Sequence, residues 1–180
     1  ATVLADRTGT FSASNVSSLM EQYFSTFIPL SKEKNQEKLV KTMGLLAFMH
    51  ITDMKESSSI HDLTEGMGLA YEDFISSINI LEKNELIEIR YECVKVPDQN
   101  VASFFIYLAF VKTGHLSLKA LLHKFGKRHM NKIHHCIVSV HNSYGHEAVV
   151  SKLQPQIRSF YYSCADEDLK ADLADKFWYY

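Results

Sequence analysis

The residues between Asp98 and Glu147 include the densest group of side chains in the chain that could do chemistry. This stretch has no carboxylate, and it carries six lysine or arginine residues and seven histidines. Lysine and arginine neutralise phosphates, and imidazole gains charge near neutral pH, so the stretch is a candidate phosphate or nucleic-acid contact. The other interpretation is a solvated helical face whose acidic partners lie on a neighbouring domain. The candidate contact residues are Lys119, Lys124, Lys127, Arg128 and Lys132.

The spacing of these histidines does not favour a metal centre. Zinc ligands on a helix lie four residues apart, and no two of the seven have that separation. His146 and Glu147 begin like the zinc-protease signature, but Val150 stands where the second histidine is needed. We therefore predict no metal site in this chain.

Nucleophilic and nucleotide chemistry also lack their motifs. Cys136 lies in an apolar stretch that predicts a packed helix, and Cys164 has no basic neighbour to favour the thiolate. Gly126 and Lys127 have neither the preceding glycine nor the following hydroxyl of a phosphate loop. The sequence therefore predicts no catalytic and no cofactor-binding residue, and this chain alone is not expected to be an enzyme.

The composition is that of an ordinary globular chain. Its 180 residues are 46% hydrophobic, enough to bury a core in one domain or two small ones. The formal net charge of -2 gives no general attraction to nucleic acid or anionic membranes.

The three cysteines, an odd number, favour reduced thiols and a cytoplasmic location. The longest apolar run, residues 101–111, is about half a membrane-spanning helix, so we predict no membrane segment. A chain that opens on Ala1 without a leader is typical of a piece of a larger protein.

Apolar spacing predicts the first helices. One lies between Ser14 and Pro29, and a second covers residues 37–51. Ser59 and Asp62 resemble a capping box that begins a short helix, which two glycines end at 66 and 68.

A helix over residues 70–84 is followed by a two-stranded ribbon. Asn84 is expected to end the helix in the left-handed conformation. Side chains then alternate in LIEIRY and in CVKVP, which predicts two short antiparallel strands over residues 86–97.

Pro97 and Asp98 connect this ribbon to the next helix. Proline lacks an amide proton and suits the end of a strand, while the Asp98 carboxylate can accept hydrogen bonds from the helix's first turn. That helix, residues 99–112, is apolar nearly all round, which predicts burial between two layers. Pro97, Asp98 and Gln99 are therefore predicted to form an interdomain joint, and we call these three residues the joint.

Further helices complete the predicted fold, which is mainly α. Gly114 ends the buried helix, and helical stretches follow over 117–125, 131–142, 147–163 and 166–179, with Pro155 kinking or splitting the third of these. Residues 1–30 are predicted as a helical lead-in and residues 31–97 as a winged helix, that is, three helices plus a short β-hairpin. Residues 98–180 are predicted as an α-helical domain of bundle or repeat type.

Winged helices often bind DNA, so the charge of the third helix matters. It begins with Glu72 and Asp73 and has only Lys83 at its far end, whereas base-reading helices present Arg, Lys, Asn or Gln. The hairpin region has two basic residues, Arg90 and Lys95, and three glutamates. Because carboxylates repel phosphates, DNA contact through this face is disfavoured.

The segments LVKTMGLLAFMHITD, LTEGMGLAYEDFISSINILEKNELIEI and VKVPDQNVASFFIYLAF resemble a known family. They resemble the winged-helix segment that follows the ATPase module in the STAND class of P-loop ATPases, particularly large bacterial members. The resemblance covers residues 39–125, and the helices after Gly114 resemble the start of that class's helical sensor region. It implies a module that packs on the nucleotide-binding core, holds the closed state and pivots when a ligand or partner is sensed. Asp98 matches the acid of the related Met-His-Asp signature, but Pro97 replaces the phosphate-contacting histidine, so that role is not carried over.

Two functions follow from this reading. The first is a non-catalytic regulatory or interaction module of a larger nucleotide-gated signalling or defence ATPase. Its partner would be the neighbouring ATPase domain or another protein, and ATP or ADP would bind only to the parent protein. The alternative is a free-standing winged-helix regulator that binds nucleic acid.

Overall fold

The computed structural model describes residue 22 and residues 33–180, and over these the chain is mainly helical with one small sheet. The predicted lead-in over residues 1–30, including the helix between Ser14 and Pro29, lies outside the described residues except for Gln22. The helices are α1 (Glu33–Met49), α2 (Ser57–Gly66), α3 (Tyr71–Lys83), α4 (Gln99–Ile106), α5 (Leu118–Tyr144), α6 (His146–Ser163) and α7 (Glu167–Phe177). A π-helical segment, Tyr107–Lys112, continues α4.

The buried helix α4 and its π-helical continuation occupy the centre of the described structure. They pack against α1 on one side and α5 on another, and Phe104, Phe105 and Ala109 have at most 1% of their surface exposed. The amide of Thr113 bonds to the carbonyl of Leu108 at 3.0 Å, the five-residue spacing of a π-helix. The predicted all-round burial of this segment is confirmed, whereas its π-helical end was not predicted.

Within residues 33–180, three short strands form one antiparallel sheet in the order β1-β3-β2. The strands are β1 (Ile51–Asp53), β2 (Glu88–Arg90) and β3 (Cys93–Lys95), and Val94 pairs with Ile89 on one side and Thr52 on the other. The ribbon β2–β3 is therefore confirmed. Its two-residue turn, Tyr91 and Glu92, has positive φ at both positions, as a tight hairpin turn requires.

Strand β1 corrects the prediction that helix 37–51 reaches Ile51. Helix α1 ends at Met49, His50 takes a positive φ of 64°, and Ile51 then pairs with Lys95. The left-handed turn at His50 redirects the chain, and its cost is offset by sheet hydrogen bonds that a local apolar pattern cannot reveal.

Two predicted helix ends are also wrong in detail. Helix α2 begins at Ser57 with no side-chain cap, so the capping box of Ser59 and Asp62 does not form. Asn84 has φ of -97°, and the left-handed residue is its neighbour Glu85, with φ of 57°. The side-chain amide of Asn84 donates to the carbonyl of Ile80 at 2.7 Å, and the backbone amide of Asn84 donates to the same carbonyl at 3.2 Å.

The helices after Gly114 differ in length from the prediction, and the last of them, α7, is shorter than the predicted 166–179. Gly114 has a positive φ of 65°, and Ser117 caps α5 by accepting a hydrogen bond from the Ala120 amide at 3.2 Å. The predicted stretches 117–125 and 131–142 are one helix, α5, interrupted only by non-helical angles at His129. Pro155 lies inside α6 without splitting it.

Buried apolar residues of the described ranges form one cluster that crosses residue 97. Met43 and Leu46 of α1, Phe105 of α4 and Ile133 of α5 are each 1% exposed or less. The domain limits of 31–97 and 98–180 stay a prediction, and the two segments share this core. No helix in residues 33–180 has both the length and the apolar character to cross a bilayer.

The approach of α1 to the π-helical segment depends on Gly44, and this gives a stability prediction. A Cβ at Gly44 would lie 2.5 Å from Ala109 Cβ and 2.8 Å from Leu116 Cδ1. Gly44→Ala should therefore lower the free energy of unfolding by about 1–3 kcal/mol, measured by urea denaturation.

The matched control is Gly126→Ala in the middle of α5. Its Cβ would meet Leu169 Cδ1 at an ordinary 3.5 Å, so higher helix propensity should leave stability unchanged or raise it by up to about 1 kcal/mol. Equal effects of the two substitutions would contradict the close approach at Gly44.

Candidate functional site: the joint and the adjoining cleft

The helix cap predicted at Asp98 is confirmed. Asp98 is the N-cap of α4, and its Oδ1 accepts hydrogen bonds from the amides of Asn100 at 2.7 Å and Val101 at 3.3 Å. Pro97 is exposed and lies two residues after the end of β3. The cap satisfies amides that the helix itself leaves without acceptors, and only residues 96–98 separate the end of β3 from the start of α4.

Gln99 connects the joint to α5. Its Nε2 donates to Ser139 Oγ at 3.4 Å, and the Ser139 hydroxyl also bonds with the buried hydroxyl of Ser103. Ser103 Oγ donates to the Gln99 carbonyl at 2.9 Å in addition. This polar group fixes α4 to α5 one turn after the corner at Asp98.

Lys132 makes a second connection across the molecule, which we call the Lys132 contact. Its Nζ donates to the carbonyl of Met49 at 2.8 Å and lies 5.3 Å from the centre of the Phe48 ring. Met49 is the last residue of α1, so the ammonium meets the negative end of that helix. Burial lowers the pKa of Lys132, and within the described ranges no carboxylate forms an ion pair with it.

A cleft of about 260 Å³ lies beside the Lys132 contact. One wall comes from β1 and α2, the other comes from α5, and apolar side chains form its floor. We call this the mixed-charge cleft, and its lining includes Phe48, Ile60, Leu63 and Phe125, the acids Asp53, Glu56 and Asp62, and the bases Arg128, His129 and Lys132.

His129 lies where α5 departs from helical geometry, with φ of -131° and ψ of 21°. Its ring is perpendicular to that of Phe48, with 6.2 Å between centroids, and lies 6.5 Å from that of Phe125. Burial, then the charges of Lys132 and Arg128, lower the pKa of His129, so the imidazole is neutral at physiological pH.

The five predicted basic contact residues have different neighbours. Lys119 Nζ donates to Ser159 Oγ at 2.9 Å on α6, and Lys127 forms an ion pair with Asp166 at 3.0 Å. This pairing raises the pKa of Lys127 and lowers that of Asp166. Arg128 and Lys132 instead line the cleft, and Lys124 is exposed between the two groups.

The α3 face and the hairpin carry charges that are already paired. Asp73, in the first turn of α3, forms an ion pair with Lys38 at 2.7 Å, and Glu72 beside it is exposed. In and beside the hairpin, Lys55 pairs with Glu92 at 2.7 Å and Arg90 with Glu88 at 3.1 Å. This surface therefore presents no concentrated positive field.

The surroundings of Cys136 disfavour a reactive thiolate. Burial raises the pKa of Cys136 to about 11, which keeps it a protonated thiol at neutral pH. Across residues 33–180, no three His, Cys, Asp or Glu side chains are grouped to hold a metal ion.

The sequence predicted the Asp98 cap and did not predict the cleft. Arg128 and Lys132 belonged to the predicted basic stretch, but nothing local indicated that Asp53, Glu56 and Asp62 face them. The lack of acids in 99–146 was the available signal that these cations face another element.

Comparison with family models, with curated proteins and with solved structures gave no significant match to this chain.

The Asp98 cap gives a prediction for the joint. Asp98→Ala should lower the free energy of unfolding by about 1 kcal/mol, because two amides of α4 lose their acceptor. Asp98→Asn is the matched control, since asparagine caps about as well, and it should be near neutral in the same urea titration. If Asp98→Ala left the free energy of unfolding unchanged, the cap would not stabilise α4.

Three histidines whose pKa is lowered by partial burial give a prediction for pH. Burial lowers the pKa of His50, His129 and His134 from 6.5, so the unfolded chain binds more protons between 6.5 and the folded-state values. The free energy of unfolding should therefore fall as the pH drops below 6.5 and level off below the folded-state pKa values. Urea titrations at about pH 7.5 and about pH 5.5 measure the difference.

The double variant His129→Gln with His134→Gln should lose less stability over this interval than the parent chain. His115→Gln, at an exposed histidine, serves as the control. The lowered pKa values of Glu37 and Asp166 act below 4.5, outside this interval. An unchanged pH slope in the double variant would show that these imidazoles do not carry the effect.

Proposed function

We propose that this chain is a non-catalytic regulatory module of a larger nucleotide-gated ATPase, built on a winged helix. The order α1, β1, α2, α3, β2, β3, with the hairpin beside the third helix, supports the winged-helix assignment. The resemblance of residues 39–125 to the STAND class supports the ATPase context. The neighbouring ATPase domain is the proposed partner, ATP or ADP is the parent's ligand, and cytoplasmic signalling or defence is the proposed setting.

The observation that carries this proposal is the double attachment of the winged-helix unit to the helical region. The joint attaches it at Asp98 and Gln99, and the Lys132 contact attaches it at the end of α1. Because the core is continuous between them, the two regions would move as one body. A rigid body that docks on an ATPase core and is released from it can transmit a signal without doing chemistry.

The charge pattern supports a protein partner over DNA for the α3 face. Glu72 lies in the first turn of α3, and Asp73 beside it is neutralised by Lys38, so this turn offers no free positive charge to a phosphate. Tyr91 at the hairpin tip is 98% exposed and lies beside paired charges. This combination suits a polar protein interface with an aromatic contact.

The proposal is tested in the full-length product of the gene. The reading frame upstream of Ala1 should encode a phosphate loop, and Asp98→Ala should speed nucleotide release by up to about fivefold, as a loss of ~1 kcal/mol from the closed state implies. Asp98→Asn should release nucleotide at the parental rate. Identical release by Asp98→Ala, in a parent that does bind nucleotide, would contradict a role of the joint in gating.

The alternative, a free-standing nucleic-acid-binding regulator, is favoured by one observation. Lys124 and Arg128 lie four residues apart on the exposed side of α5, and neither forms an ion pair with another described residue. It predicts an initiating methionine just before Ala1 and salt-sensitive binding of DNA or RNA. Fluorescence anisotropy with labelled DNA or RNA tests this alternative. The Lys124→Glu, Arg128→Glu double variant should abolish binding through that face.

A further inference from the structure

The mixed-charge cleft has walls of opposite charge that do not pair with each other. Asp53, Glu56 and Asp62 line one wall, and Arg128 and Lys132 line the other. Among residues 33–180, no ion pair joins the two walls. A zwitterion that spans the cleft would gain from both walls, because the acidic wall suits its positive end and the basic wall suits its negative end.

The size and floor of the cleft limit the ligand further. Its volume of about 260 Å³ is near the lower end for ligand pockets, so it suits a small molecule rather than a folded partner. The floor is apolar, since Phe48, Ile60 and Leu63 are at most 5% exposed and Phe125 is half-buried beside them. A ligand with an apolar part would bury it there.

We propose that the mixed-charge cleft binds a free α-amino acid with an apolar side chain. The guanidinium of Arg128 binds the carboxylate as a planar fork, and the ammonium of Lys132, one of whose protons is used by Met49, adds a second donor. Glu56 and Asp62, whose carboxylates are exposed, receive the ammonium group of the ligand. The side chain packs on Phe48 and its apolar neighbours.

Other small ligands fit this arrangement less well. A phosphate group would face three carboxylates across the cleft, and a simple cation would face Arg128 and Lys132. A purely apolar molecule would leave both charged walls unsatisfied. Only a ligand with separated positive and negative ends forms favourable charge interactions with both walls.

This site goes beyond the proposed function and does not depend on it. Its walls belong to β1 and α2 before the joint and to α5 after it, so a bound amino acid would bridge the two regions. Binding can be measured on the isolated chain, whatever the parent protein does.

The test is isothermal titration calorimetry of the 180-residue chain with L-phenylalanine and L-leucine. We expect saturable binding of one equivalent below about 10 mM, the range of a weak metabolite site. Phenylalanine methyl ester and N-acetylphenylalanine each remove one charge of the zwitterion, and each should bind at least about tenfold more weakly.

Variants locate the site. Arg128→Gln and Asp62→Asn should each weaken L-phenylalanine binding by about tenfold or more, because each removes one charged partner at an exposed position that packing does not need. Lys119→Gln, on the same helix but bonded to Ser159, should bind as the parent does. Absence of saturable heat with both amino acids, or binding that Arg128→Gln and Asp62→Asn leave unchanged, would overturn the proposal.

Discussion

The burial of α4 and its π-helical continuation is the constraint on which the rest of this structure depends. The segment contacts α1 on one side and α5 on the other, so it is the common core of both regions. The first turn of this helix lies at the surface, and the Asp98 carboxylate supplies an acceptor for two of its amides at the point where the ribbon ends. The corner at Pro97 and Asp98 therefore begins the central helix at the surface, and the buried part of the helix follows from Ala102 onward.

The Lys132 contact shows the same principle at longer range. The last carbonyls of α1 also need partners, and one is supplied by a lysine that is 83 positions away in sequence. Together the two contacts fix the ribbon, α1 and α5 around one core, and the mixed-charge cleft lies between the elements that they hold in place. Regulation by docking of the whole unit is compatible with this rigidity, whereas independent movement of its two regions is not.

Local chemistry made part of this architecture predictable. The strand alternation, the proline and the capping acid around residue 98 act within a few residues, and the structure has them as the sequence predicted. Strand β1 was missed because it has three residues and follows a left-handed His50 that no propensity favours. The Lys132 contact and the opposing walls of the cleft join distant residues, one partner being a backbone carbonyl, and a single sequence carries no signal for such a pairing. The sequence predicted two helices in place of α5 because the polar segment around His129 interrupts the apolar spacing. In the structure the backbone angles at His129 are non-helical, but the helix continues.

The central claim is that residues on both sides of the joint unfold as one cooperative unit. Hydrogen exchange followed by mass spectrometry, in rising urea below the unfolding midpoint, measures the opening free energy of α1 and of α5 separately. The account predicts that the most protected amides of both helices converge on one opening free energy, equal to the global free energy of unfolding. Exchange of α1 through a separate opening of clearly lower free energy, while α5 and α6 stay protected, would contradict it.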